Sequence, residues 1–496
     1  MPEFIQKMSR KAKAAAVAVL SAVLILSVSL GIFFQSGSER IEVSNETESS
    51  LSGTEGKLET ENTDLQGSEK TEAQTEITKS TDESEEAAAT TSSSAVSDSM
   101  NENNYENGTV QSATIAEGNS YAGSSVDTQI ITPNENTYKA LFSAGYNLTE
   151  HMLSNLSDDE KEVLFSILDA AENHETQVEV KNGVIKNGDS KTLSDMFLLV
   201  KIALAKTDML SPTYVYSGGE YVTNIKLSYR LTKNEASAQR AQLKSKVMSI
   251  MSSVTEDMDD YDKLLYFHDE IISFCRYNLE SENSRSAYGC LVEGKASCEG
   301  YSKALLELCD AAGIDCVIVT GTADSNSQAV RHMWNKVRIS GRWYNVDLSW
   351  DDADVGSKYD YFLVTDKELL TNHTAEPNKF YDYPSAVFET DNYFVKNGVF
   401  VESDAKIISS VTKAIENAVK SGSDTASVKF KNKSLFDRSN KMFSDSYIAN
   451  PIFEILKSVS KDLGVSIDTS SVYKFVNEDI LTMSFEISYD DETLVG

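Results

Sequence analysis

Three residues of this chain have the types and spacing that nucleophilic chemistry needs: Cys298, His332 and Asp347. Ser297 is a residue type favoured at a helix N-cap. Tyr301, Ala304, Leu305, Leu308 and Cys309 then recur at helical spacing, and Gly313 is a fitting stop. That pattern predicts Cys298 at the first residue of a helix. Helix N-terminal amides and the macrodipole favour a thiolate there, and the same amides can donate to an oxyanion. A buried inert thiol is the plain alternative while Cys298 is considered alone.

The partners come from a predicted hairpin. Ser340-Gly341 reads as a two-residue turn between Arg331–Ile339 and Arg342–Asp347. In that register Val337 faces Tyr344 and Trp334 faces Asp347. One face carries Met333, Val337, Ile339, Tyr344 and Val346, which suits a core. The other carries His332, Trp334, Lys336, Arg338, Trp343, Asn345 and Asp347. His332 and Asp347 are then diagonal neighbours, about 7–8 Å apart at the backbone and within side-chain reach. A carboxylate there would orient the imidazole and stabilise its protonated form. A thiol at a helix start beside an oriented histidine is an arrangement for acyl transfer. A slip of one residue would put His332 and Asp347 on opposite faces.

The strings GKASCEGYSKAL, HMWNKV and GRWYNVDLSWDD resemble the transglutaminase-like superfamily in its bacterial surface-protein branch. The resemblance covers roughly residues 261–366. It implies an α+β, papain-like core, in which a helix carrying the cysteine packs on an antiparallel sheet carrying His and Asp. It also implies Cys298 as nucleophile, His332 as general base and acid, and Asp347 as orienting group. Val292 stands where papain-like proteases place an oxyanion glutamine. The second oxyanion donor is therefore open, with Tyr288 as candidate and Trp334 as a supporting residue. His373, after Tyr361-Phe-Leu-Val-Thr-Asp-Lys-Glu, reads as a structural loop residue, and His268 as a packing or hydrogen-bonding residue on a helix. Cys309 and Cys316 read as core thiols, and Cys275 and Cys290 as core thiols or a disulfide pair. No zinc-ligand spacing occurs, and neither a metal nor a cofactor is expected.

The rest of the chain sets the context. Lys7, Arg10, Lys11 and Lys13 precede an uncharged run from Ala14 to Phe34, long enough to span a bilayer. The reading is a cytoplasmic tail (1–13) and a membrane anchor (14–34), with the remainder outside the cell; secretion after signal cleavage is the alternative. The net charge of −32 argues against a nucleic-acid partner. Half of it lies in the next segment, where residues 35–130 hold 20 acidic and 4 basic side chains. That composition predicts a disordered acidic linker over 35–131. An N-terminal α+β accessory region is expected over 132–254, the catalytic region over 255–385, and a C-terminal α+β region over 386–496. In the last, Tyr393–Lys396 reads as a strand before an Asn397-Gly398 turn. The expected activity is cysteine acyl transfer on peptide or glutamine carboxamide bonds, with hydrolysis slightly favoured over crosslinking. Expected partners are a protein or peptide substrate at the cell surface, cell-wall polymer, and the membrane through the N-terminal helix. The alternative is a non-catalytic surface binding or scaffold protein that keeps the fold.

Overall fold

The computed structural model describes residues 146–325, 328–444 and 449–489, together with the backbone of 37–42 and 111–112. The expected anchor at 14–34 lies outside the described residues. Among the described residues no helix is long and apolar enough to cross a membrane.

The chain runs through β1 (Gly37–Glu42), β2 (Gln111–Ser112), α1 (Asp158–Asn173), β3 (Gln177–Glu179), α2 (Ser190–Ala203), β4 (Val215–Gly218), β5 (Val222–Lys226), α3 (Lys233–Met251) and α4 (Asp260–Phe274). The central part holds β6 (Arg276–Tyr277), β7 (Lys295–Ala296), α5 (Cys298–Ala312), β8 (Asp315–Ser325), β9 (Gln328–Ile339), β10 (Arg342–Val346), α6 (Leu348–Asp351), β11 (Phe362–Val364), α7 (Asp366–Leu369) and β12 (His373–Ala375). The C-terminal part holds α8 (Tyr393–Lys396), β13 (Phe400–Val401), α9 (Ile407–Ser421), β14 (Thr425–Phe430), α10 (Lys433–Met442), α11 (Ile452–Leu463), β15 (Ser471–Asn477) and β16 (Thr482–Glu486).

The central sheet has the order β11-β10-β9-β8-β12 and is antiparallel throughout. Helix α5 packs on β8 and β9. Every residue from Cys298 to Cys309 is buried, so α5 is the helix around which this part closes. Gly313, at φ +72°, ends it in the left-handed conformation glycine adopts without strain. Asn335 ties sheet to helix, its amide donating to the Ser302 carbonyl at 3.0 Å.

The β9–β10 register is the one read from the sequence: Ile339 pairs with Arg342, Val337 with Tyr344 and Asn335 with Val346. Ser340 (φ +49°) and Gly341 (φ +77°) are both left-handed, as a type I′ hairpin turn requires. The face expected to be the more polar is covered as well. Trp334, Lys336, Asn345 and Asp347 are all buried, beneath the chain that follows β10. Lys336 is accommodated because its ammonium meets Asp366 Oδ1 at 2.5 Å and the Pro384 carbonyl at 2.7 Å.

Buried apolar side chains from Leu148 to Tyr381 form one contiguous core. The boundary expected near residue 254 therefore runs through a shared interior. A second core spans Phe394 to Ile487, under a mixed sheet ordered β1-β15-β16-β14-β13. A small third cluster joins Trp334, Trp350 and Tyr361 to Ile480, in the turn between β15 and β16.

Three expectations are corrected or narrowed. Tyr393–Lys396 is a helical turn: Asn392 caps it by accepting from the Phe394 amide, and Phe394 alone is fully buried. A local cap outweighs apparent alternation over so few residues. Within the acidic linker, Gly37–Glu42 pairs antiparallel with β15 and Gln111–Ser112 pairs with β4; the rest of the linker lies outside the described residues. The five cysteines are free, and all are buried.

Candidate functional site

Cys298 is the first residue of α5. Ser297 holds the N-cap position, but its hydroxyl donates to the Ser284 carbonyl at 3.2 Å, so it caps none of the helix amides. Two residues after Cys298, Gly300 permits a close approach. A Cβ there would lie 2.3 Å from the Ser284 carbonyl oxygen and 2.8 Å from Ala296 Cβ. Any larger residue would push the loop away from the helix start.

His332 projects from β9 and Asp347 follows β10. His332 Nε2 and Asp347 Oδ2 are 2.5 Å apart, with both side chains buried. The ring of His332 also hydrogen-bonds the Cys298 thiol. Since Nε2 faces Asp347, Nδ1 is the nitrogen left for sulfur. Burial opposes a charge on His332, but the charges of Asp347 and of a Cys298 thiolate, with hydrogen bonds to both, outweigh it and push its pKa up to about 10. Burial likewise opposes ionisation of Asp347. The charge of His332 and hydrogen bonds from His332 and His373 overcome it and hold the carboxyl well below the usual range. Asp347 Oδ1 accepts from the amides of Ser349 (3.1 Å) and Trp350 (3.2 Å) and from the Ser349 hydroxyl (2.8 Å).

Trp334 stands beside this pair. Its ring lies 6.2 Å from that of His332, and its Nε1–H donates to Asn345 Oδ1 at 3.3 Å. Tyr288 is directed elsewhere: its hydroxyl donates to Gln242 Oε1 on α3 at 2.8 Å. The tyrosine against the thiol is Tyr277, whose hydroxyl hydrogen-bonds both the backbone N–H and the side chain of Cys298. Burial and the neighbouring charges of Cys298 and Asp347 raise the Tyr277 pKa above its ordinary value, so it stays a phenol able to donate. Its position comes from parallel pairing of Tyr277 with Ala296, two residues before Cys298. A two-residue strand leaves no periodic signal, which is why sequence reasoning passed over it.

His373, expected to be a structural loop residue, lies on β12 with Nε2 3.1 Å from Asp347 Oδ2. One ligand atom from each of His332, Asp347 and His373 falls within 4.8 Å of the others, a spacing that would also admit a divalent ion. Each of these groups already has a hydrogen-bond partner within the trio. The arrangement can hold a thiolate beside an imidazolium, with donors poised around the sulfur.

Residues 249–348 match the model of the Transglutaminase-like superfamily. Kyphoscoliosis peptidase from Mus musculus is 28% identical over 156 residues, 28% of this chain and 24% of that protein. Kyphoscoliosis peptidase from Homo sapiens is 33% identical over 89 residues, 16% of this chain and 13% of that protein. The chain thus spans a quarter or less of the length of these curated relatives. A crystal structure of a candidate cysteine protease from Cytophaga hutchinsonii aligns with a TM-score of 0.22 and 18% identity, over 31% of this chain and 54% of that one.

Proposed function

Residues 249–348 belong to the transglutaminase-like superfamily, and from that premise we propose that this chain is a cysteine acyl-transfer enzyme acting on carboxamide or peptide bonds. The observation that carries the reading is the contact of His332 with both Cys298 and Asp347. In the proposed reaction the Cys298 thiolate attacks the carbonyl carbon. The oxyanion is met by the Tyr277 hydroxyl, in place of Tyr288. The C–N bond then breaks, His332 gives its Nδ1 proton to the departing amine, and a thioester remains. An incoming acceptor attacks the thioester, His332 takes up the acceptor's proton, and the thiolate is released. Asp347 holds the imidazolium throughout.

Water as acceptor makes the enzyme a protease or amidase, and a lysine amine makes it a crosslinker. We favour water. It is the default acceptor, and the two mammalian relatives carry the name peptidase. The test is mass spectrometry of a peptide library incubated with the full-length chain and an added amine. Products heavier by one water support hydrolysis, and amine adducts support transamidation. A library left untouched by the wild type, with Cys298 reacting no faster than an ordinary thiol, sinks the catalytic reading.

An extracellular location is part of the same proposal, with anchoring through residues 14–34 and the acidic segment as a tether. Protease treatment of intact cells tests it: release of the folded region supports it, and complete protection rejects it.

A further inference from the structure

We propose that His373 is a positioning residue for the reacting pair, holding Asp347 so that Asp347 holds His332. The inference rests on the acyl-transfer reading. Two imidazoles converge on one carboxylate oxygen: Asp347 Oδ2 lies 2.5 Å from His332 Nε2 and 3.1 Å from His373 Nε2. The two rings are 5.3 Å apart, with their planes at 63°, so they grip the oxygen from different directions. Oδ1 is fixed by the Ser349 and Trp350 donors. With both oxygens engaged, the carboxylate can neither turn nor swing away from His332.

Packing alone does not account for the residue. His373 is buried, its ring 4.5 Å from that of Trp350, 5.3 Å from Trp334 and 5.7 Å from Tyr361. An apolar side chain would fill such a box without the cost of burying two ring nitrogens. That cost is met because Nε2 reaches Asp347 and Nδ1 lies 2.7 Å from the side-chain oxygen of Asn372, Oδ1. Asn372 is in turn tied to Tyr361, its amide donating to the phenol oxygen at 2.9 Å, and it reaches Asp479 at 3.3 Å. Burial, aided by the charge of His332, holds the His373 pKa below the ordinary histidine value against the pull of Asp347. A carboxylate only accepts, so His373 serves Asp347 with a proton on Nε2.

The test is alkylation of Cys298 across the pH range in the full-length chain, followed by peptide mapping. His373→Ala is expected to slow Cys298 alkylation at neutral pH by roughly 10–100-fold, the scale seen on deleting an outer group that orients a metal-bound imidazole. The acid limb of its pH profile should differ from that of the wild type. His373→Gln, whose amide can donate from nearly the same point, should restore both rate and limb. An unchanged rate in His373→Ala overturns the proposal. So does an equal loss in both variants with the acid limb unmoved, which marks a merely structural ring. If His373→Ala does not fold, nitrogen-15 NMR of the wild-type ring decides: a proton on Nε2 at neutral pH upholds the proposal, and a bare Nε2 overturns it. A wild-type Cys298 no more reactive than a free thiol is a different failure. It removes the acyl-transfer reading, and this inference with it.

Discussion

Among the described residues, two buried aspartates, Asp347 and Asp351, each hold a histidine that faces a further group, and the two centres are not equivalent. One is His332–Asp347. The other is His268–Asp351, with His268 Nε2 3.2 Å from Asp351 Oδ2 and both side chains wholly buried. Both histidines are pushed up from their ordinary value, His332 to about 10 and His268 to about 9. For His268, burial opposes the shift and hydrogen bonds to Asp269 and Asp351 overcome it. The carboxylates move in opposite directions. Asp347 is held below its usual range, whereas burial pushes Asp351 up to about 7 against the hydrogen bond and charge of His268. The charge of His332, with hydrogen bonds from His332 and His373, lowers Asp347, whereas Asp351 has one histidine beside it and the charge of Asp360 raises it further. Asp347 accepts from His332, His373, two amides and a hydroxyl. Asp351 accepts from His268 and the Tyr361 amide. Burial therefore stays in control at Asp351.

The second difference lies on the far side of each ring. His332 turns its remaining nitrogen to a thiol, and His268 turns its own to Asp269 at 2.9 Å. A buried His–Asp pair is therefore not a reaction centre by itself. It becomes a candidate when the carboxylate stays charged and the other nitrogen meets a nucleophile.

The comparison can be broken most directly at the sulfur. Cys298→Ala should abolish turnover of any peptide substrate, a loss of roughly a million-fold in kcat, the scale of deleting a nucleophile. Asp347→Asn should cost roughly ten-thousand-fold in kcat, because an amide cannot hold the imidazolium or select its tautomer. Asp351→Asn should leave kcat close to wild type, and an equal loss in the two variants would erase the distinction between the pairs. Tyr277→Phe should lower kcat by roughly 10²–10³-fold, the cost of one oxyanion donor. Tyr288→Phe should leave kcat unchanged, which sharpens the choice between the two tyrosines.

The smallest effects are in stability against pH, and there the signs differ. Asp347, with its depressed pKa, contributes stability that is present above the ordinary carboxylate range and lost as pH falls. Asp347→Asn should cost roughly 3–5 kcal/mol at neutral pH, as expected for breaking a buried pair, and less in acid. Asp351 binds its proton more tightly folded than unfolded, so the wild type loses stability as pH rises from 3.8 through about 7. Asp351→Asn should remove that slope. His268, raised from 6.5, contributes stability that is complete below pH 6.5 and lost as pH rises through about 9. Urea midpoints at a series of pH values check all three. Parallel curves for Asp347→Asn and Asp351→Asn would contradict the opposite shifts of the two carboxylates.

Local patterns were legible where one short rule governs them. The period of Tyr301, Leu305 and Leu308 and the stop at Gly313 specify α5. The Ser340-Gly341 turn specifies a register, and that register alone brings His332 toward Asp347. Residues joined by long-range closure were not legible. Tyr277 reaches Cys298 through a two-residue parallel pairing. His373 reaches Asp347 because β12 adds to the far edge of the sheet at Ala323. Tyr288 was a reasonable candidate by proximity in sequence, and packing against α3 took it elsewhere.

The sequence by itself determined a thiol at a helix start and a hairpin that aligns histidine with aspartate, because both follow from local propensity and a turn of fixed geometry. Only the tertiary structure decided which of two buried His–Asp pairs faces sulfur, which tyrosine stands over the thiol, and which second histidine grips the carboxylate. Those choices depend on which surfaces close on one another, and burial and hydrogen-bond count, the quantities that set charge in an interior, exist only after that closure.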